Sequence, residues 1–179
     1  EFLQMQIANK PDTSQEEYFD VIGKKTAELF GAACKSGIIV ANGNLKQQKA
    51  AYNYGYNLGV AFQIVDDLMD FNNSPNKMGK NLGDDFKFGK TTLPVILVWE
   101  KSNSIERKFW IRTLKELKQE PTDFKKALNI FQKYKIFDDC KIKAHRFISK
   151  AKESLKDLPK TKFRELLINL ADESIKRTK

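Results

Sequence analysis

Histidine occurs once, at His145, and cysteine twice, at Cys34 and Cys140. No second ligand or nucleophile accompanies His145, so it reads as a structural or exposed residue. The cysteines lie far apart without metal-ligand spacing, which argues against a zinc site or a disulfide framework. They are expected to be small buried hydrophobes in a reduced setting. Long apolar runs are also missing. The longest, Leu93 to Trp99, is far short of the ~20 residues that a membrane-spanning helix needs, and the mean hydropathy is −0.53. The polar opening at Glu1 does not have the order of a secretory signal, so a cytoplasmic location is expected. Alternating strands, repeats and low-complexity tracts are absent. At 179 residues, one domain spanning 1–179 is expected, large enough to bury a core.

Charge is unevenly placed. Residues 1–100 carry a net −2 and residues 101–179 a net +11, within an overall +9. The basic residues of the second half are scattered through amphipathic stretches, and no RNA-binding or zinc-finger signature accompanies them. Nucleic-acid binding is therefore not expected. A peripheral contact with an anionic membrane is the stronger reading of that charge.

Against this background one run stands out: Phe62-Gln63-Ile64-Val65-Asp66-Asp67-Leu68-Met69-Asp70. Ordinary core packing has no use for Asp-Asp-x-x-Asp in an apolar stretch. On a helix, Gln63, Asp66 and Asp70 share a stripe, Asp67 sits about a quarter-turn away, and Leu58, Phe62, Val65 and Met69 share another face. Crowded carboxylates repel unless a positive charge lies between them. A hard divalent cation suits that position, and Mg²⁺ is commonly held by one or two carboxylates together with waters and substrate phosphates.

The next segment, Phe71 to Lys90, holds three glycines, four asparagines, one proline and four lysines. Aperiodic loops of this length in compact domains are usually functional or disordered. Lys77, Lys80, Lys87 and Lys90 offer charge for phosphate, Gly79, Gly83 and Gly89 let the backbone turn, and Asp84 and Asp85 add carboxylates. A metal–diphosphate site with a Lys/Gly/Asp lid fits this composition. A solvated loop after a surface helix with clustered acids is the competing reading.

GYNLGVAFQIVDDLMDF followed by GKNLGDDFKFGKTTLPVIL closely resembles the second aspartate-rich region of the trans-isoprenyl diphosphate synthases, and the long-chain octaprenyl-type branch most of all. Tyr18 to Phe30 is similar to that family's Y-x-x-x-I-x-x-K-T-A-x-L-F helix. Glu1 to Gln4 looks like the tail of its G-E-x-x-Q segment, and Leu170 to Arg177 resembles its last helix. The family's first aspartate-rich motif and arginine pair have no counterpart here, since Asp138-Asp139 does not repeat the pattern and no arginine precedes Arg107. The resemblance therefore implies an all-α helix bundle of the isoprenoid synthase type without its N-terminal helices. A truncation, a decayed gene and one piece of a split protein are equally compatible with it.

The activity implied is Mg²⁺-dependent head-to-tail condensation of isopentenyl diphosphate with an allylic prenyl diphosphate. By matching position, Asp66 would ligate the metal directly and Asp70 through water. Asp67 and Asp84 are further candidate ligands, while Asp85 could equally pair with a lid lysine. Lys25, Lys80 and Lys90 would hold the allylic diphosphate, with Lys24 a solvated neighbour out of register. Thr26 and Gln63 would aim oxygen dipoles at the developing cation, and Phe62 would line the isopentenyl pocket. Phe86 reads as core. Tyr52, Tyr54 and Tyr56 read as helix packing with wet tips, and Gly55 and Gly59 as a site of close helix packing. A homo-oligomer or a complementing N-terminal half is expected as partner, together with exposed apolar surface. The alternative function is a non-catalytic remnant or regulatory subunit.

The expected helices run from about Gln15 to Asn42, with capping-box spacing from Thr13 to Glu16, and from about Lys46 to Phe71. Another begins at Thr91-Thr92-Leu93-Pro94 and runs to about Lys101, with Pro94 in its first turn. Shorter ones follow at about 104–119, 122–134, 137–157 and 160–177.

Overall fold

The computed structural model describes residues 2–72 and 82–176, excluding the Asn72 side chain, and no strand occurs among them. The helices are α1 (Phe2–Ile7), α2 (Gln15–Ile22), α3 (Glu28–Val40), α4 (Leu45–Asn72), α5 (Asp84–Lys87), α6 (Leu93–Lys101), α7 (Ser104–Trp110), α8 (Asp123–Lys133), α9 (Ile136–Ser154) and α10 (Lys162–Lys176). A π turn at Gly23–Ala27 joins α2 to α3, another at Ile111–Lys115 extends α7, and a 3₁₀ turn at Leu155–Asp157 closes α9. The expected all-α class is therefore observed. No described helix is long and apolar enough to cross a membrane.

Local chemistry accounts for several helix ends. The capping box of α2 lies one residue later than its spacing predicts. Ser14 and Glu17 exchange bonds, with the Ser14 amide donating to Glu17 Oε2 at 2.8 Å and the Glu17 amide to Ser14 Oγ at 3.2 Å. The Thr13 hydroxyl is taken by the Lys10 carbonyl instead. At the end of α3, Asn42 has φ +55°, and the Asn42 and Gly43 amides donate to the Ile39 and Ile38 carbonyls. This is a Schellman closure, in which asparagine rather than Gly43 takes the left-handed position. Asn44 and Gln47 then cap α4 reciprocally, as Asn103 and Glu106 cap α7.

The chain groups into two compact units. The first comprises residues 1–21 and 66–140. Its core is aromatic: Phe131, fully buried, meets Phe71 edge-on at 5.1 Å and stacks on Trp110 at 5.4 Å. The Trp110 indole N–H donates to Ser102 Oγ, so this buried polar atom is satisfied. Asp123 opens α8 with no exposed surface, accepting from the Glu120 amide and from the Arg112 guanidinium at 2.9 Å. The Arg112 hydrogen bond is the main reason that the Asp123 carboxyl titrates at about 2 rather than its ordinary 3.8. A carboxyl lowered on folding stabilises the protein at pH values above its unfolded pKa, and that contribution is lost as pH falls through its folded pKa. Asp123→Asn is therefore expected to flatten the loss of stability between about pH 4 and pH 2, read from urea midpoints across that range.

The second unit comprises residues 22–65 and 141–179. Tyr54, Leu58 and Ala61 of α4 pack with Ile148, Ala151, Leu155 and Ala171. The Tyr54 hydroxyl donates to the Leu167 carbonyl at 2.8 Å, so its tip is bonded rather than wet. Tyr52 is different: its hydroxyl donates to Glu28 at 2.6 Å, a bond that pushes its pKa up to about 12. Gly55 and Gly59 do permit close helix packing. A Cβ on Gly59 would lie 2.8 Å from the Ala27 Cα, and one on Gly55 would meet the Phe30 carbonyl.

Candidate active site

In the first unit, α4 ends in the acidic turn. Asp66 and Asp70 are partly exposed, whereas Asp67 is only 2% exposed and faces inward with Ile64, Leu68 and Phe71. Ile64, Asp67, Leu68 and Phe71 of this helix are buried, as are Leu58 and Val65. Burial places a carboxylate in the core, and the fold meets that demand with donors. Asp67 Oδ2 accepts from the Tyr18 hydroxyl of α2 at 2.7 Å, and Oδ1 from the Lys90 ammonium at 3.2 Å. Lys90 also donates to Asp85 Oδ2 at 2.8 Å. Asp85 therefore takes the lysine-paired option.

The backbone after the acidic turn is tied back to α4. The Gly83 amide donates to the Asp70 carbonyl and the Asp85 amide to Asp70 Oδ2, both at 2.9 Å. Gly83 and Gly89, at φ +83° and +63°, take the left-handed conformation that glycine adopts without steric strain. A Cβ on Gly83 would also run into the Phe124 ring. Phe86, between them, is buried as expected. Lys80, together with Lys77 and Gly79, lies outside the described residues.

Electrostatics follow from burial. Asp67 is raised by loss of water, opposed by Lys90 and the Tyr18 hydrogen bond. Asp70 is pushed up to about 6, first by burial and then by the neighbouring Asp85 charge. For Lys90, burial alone would lower the pKa, but Asp67 and Asp85 outweigh it and hold the ammonium charged well above its ordinary range. Tyr18 is raised well above the phenol range by burial and by Asp67.

Among the described residues no three His, Cys, Asp or Glu side chains converge to hold a metal by themselves. Asp66 and Asp70, one helical turn apart and both partly exposed, nonetheless suit a hard cation completed by water and phosphate oxygens. Asp84, also partly exposed, is the first residue of α5. Asp67 already accepts hydrogen bonds on both oxygens.

In the second unit, Lys25 and Thr26 sit on the π turn, where the Glu28 amide reaches back five residues to the Gly23 carbonyl. Lys24 and Lys25 are both exposed. The Thr26 hydroxyl donates to Gln63 Oε1 at 3.0 Å, a contact between these two candidate residues that the sequence did not predict. Phe62 is partly buried with its ring 5.7 Å from Phe30. His145 is exposed.

Tyr18 had no role in the sequence reading. Its position in the Y-x-x-x-I-x-x-K-T pattern was visible, but its hydrogen bond to Asp67, 49 residues away, was not.

A family profile described as polyprenyl synthetase matches residues 1–131, which include every candidate residue above. The chain belongs to the polyprenyl synthetase family. This member is 36% identical over 177 residues to an octaprenyl diphosphate synthase of Haemophilus influenzae, covering 99% of this chain and 54% of that protein. It is 31% identical to an all-trans-nonaprenyl-diphosphate synthase of Rhodobacter capsulatus, covering 95% and 51% respectively. A solved polyprenyl synthase from Caulobacter crescentus, complexed with calcium and isoprenyl diphosphate, superposes with a TM-score of 0.94 at 36% identity, over 99% of this chain and 54% of that one. The chain thus spans about half the length of the curated relatives it matches.

Proposed function

We propose that this polyprenyl synthetase family member acts in prenyl transfer, condensing isopentenyl diphosphate head-to-tail with an allylic diphosphate, with an octaprenyl-type product. The observation that carries the reading is the pair of partly exposed carboxylates, Asp66 and Asp70, one turn apart in a family match that also includes Lys25, Thr26 and Gln63. The calcium and isoprenyl diphosphate bound by the Caulobacter relative support a divalent cation and a diphosphate as its ligands.

Asp66 and Asp70 would hold magnesium, with Asp84 reaching its water shell. When bound, magnesium supplies positive charge against the leaving diphosphate. By the family resemblance, Lys90 in the first unit and Lys25 in the second are each a candidate lysine for that diphosphate, as is Lys80. In the reaction the allylic C–O bond breaks, the isopentenyl double bond forms the new C–C bond, and a proton is lost. The Thr26 hydroxyl donates a hydrogen bond to Gln63 Oε1, which leaves the threonine lone pairs available to a developing cation. Phe62, against Phe30, offers an apolar wall that keeps water from the cation.

The test is transfer of label from isopentenyl diphosphate to farnesyl diphosphate, with Mg²⁺ and with EDTA. Metal-dependent product is expected, and its length reports the branch. A specific observation favours a non-catalytic or regulatory role as the second reading: Lys90 is already paired within the protein, to Asp67 and Asp85. Folded protein that forms no product would support that role.

A further inference from the structure

We propose that Tyr18 is a positioning residue, which holds Asp67 so that Asp67 and Asp85 together fix Lys90 and the Asp84–Lys90 turn. The inference rests on the diphosphate reading only for its functional consequence; the anchor itself is a matter of geometry.

The connections form one circuit. The Tyr18 hydroxyl reaches Asp67 Oδ2, Asp67 Oδ1 accepts from Lys90, and Lys90 bridges to Asp85. The Asp85 amide closes on Asp70 Oδ2. Tyr18 and Asp67 are each 2% exposed, so neither has water as a ready substitute partner. Removing the hydroxyl leaves a buried carboxylate oxygen short of a donor, which weakens its hold on Lys90. The three aspartates of α4 therefore divide their work. Asp66 and Asp70 are the partly exposed pair suited to a phosphate-bridged cation, whereas a cation on the buried Asp67 would have to displace Tyr18 or Lys90.

Two readouts separate this role from direct metal ligation and from simple destabilisation. The first is hydrogen exchange at the Lys87, Phe88 and Lys90 amides, which bond within the turn, with the buried α6 amides Val95–Val98 as reference. The second is the magnesium concentration at half-saturation for binding of inorganic diphosphate, followed by calorimetry. Tyr18→Phe is expected to speed exchange of the turn by about tenfold relative to the α6 amides, without moving the magnesium midpoint. Asp67→Asn should do the same, while Asp66→Asn should raise the magnesium midpoint and leave exchange alone. Unchanged exchange in Tyr18→Phe, or an equal increase at the α6 amides, overturns the proposal. So does an Asp67→Asn protein whose magnesium midpoint moves like that of Asp66→Asn with the turn unaffected. If the unsubstituted chain binds no diphosphate, the functional reading fails, and the exchange comparison still decides the anchor.

Discussion

Asp66→Ala is expected to lower magnesium-dependent prenyl transfer by about 10²- to 10³-fold, the range seen when one preorganised electrostatic group is removed from a charged transition state. Asp66 is partly exposed on the last turns of α4, so the substitution removes charge at a surface position. Stability should therefore change by less than about 0.5 kcal/mol. The loss should appear in turnover from isopentenyl and farnesyl diphosphates at saturating Mg²⁺, with an unchanged thermal midpoint. If activity persists in the variant and remains sensitive to EDTA, the metal ligand lies elsewhere. If activity in both proteins is insensitive to EDTA, metal-dependent transfer by this chain is refuted.

Phe131→Ala is expected to have the largest effect on stability, about 3–5 kcal/mol. Phe131 has no exposed surface and touches three other rings, with Phe137 at 5.6 Å in addition to Phe71 and Trp110. Removing the ring forfeits its transfer free energy and leaves a cavity between aromatic neighbours that cannot easily collapse. In a chain of this size the thermal midpoint should fall by about 10 °C. A fall of only a degree or two would mean that the aromatic cluster repacks. Because Phe71 is in α4 one residue beyond Asp70, the acidic turn should loosen in the same variant, seen as faster exchange at the Asp85 amide that Asp70 caps.

The chemistry-bearing segment was legible because its signals are short-range. Asp66 and Asp70 one turn apart, Lys25 beside Thr26, and glycines where φ is positive depend on spacing along one helix or one turn. Helix ends were legible to within a few residues, and the reason for each miss is local competition. Thr13 and Ser14 are both capping residues with a glutamate three positions on, but the Thr13 hydroxyl is committed to the Lys10 carbonyl, which leaves the box to Ser14 and Glu17. Asn42 took the left-handed position because asparagine tolerates it, which left Gly43 to donate to Ile38. The α7 capping box, Asn103 with Glu106, was present as spacing and could have been found from it.

Asp67 illustrates the limit. Its neighbours Asp66 and Asp70 are chemically identical, and helical spacing alone put it only a quarter-turn aside. Which carboxylate turns inward depends on what packs against α4: here a tyrosine 49 residues earlier and a lysine 23 residues later supply the donors. The amino-acid sequence by itself determined the all-helical class, the family, and the crowding of aspartates at the end of α4. Only the tertiary structure decided that Asp67 is buried against Tyr18, that Lys90 is held between Asp67 and Asp85, and that Thr26 meets Gln63. Those are contacts between distant segments, set by packing and by the need to satisfy buried charge rather than by any periodicity along the chain.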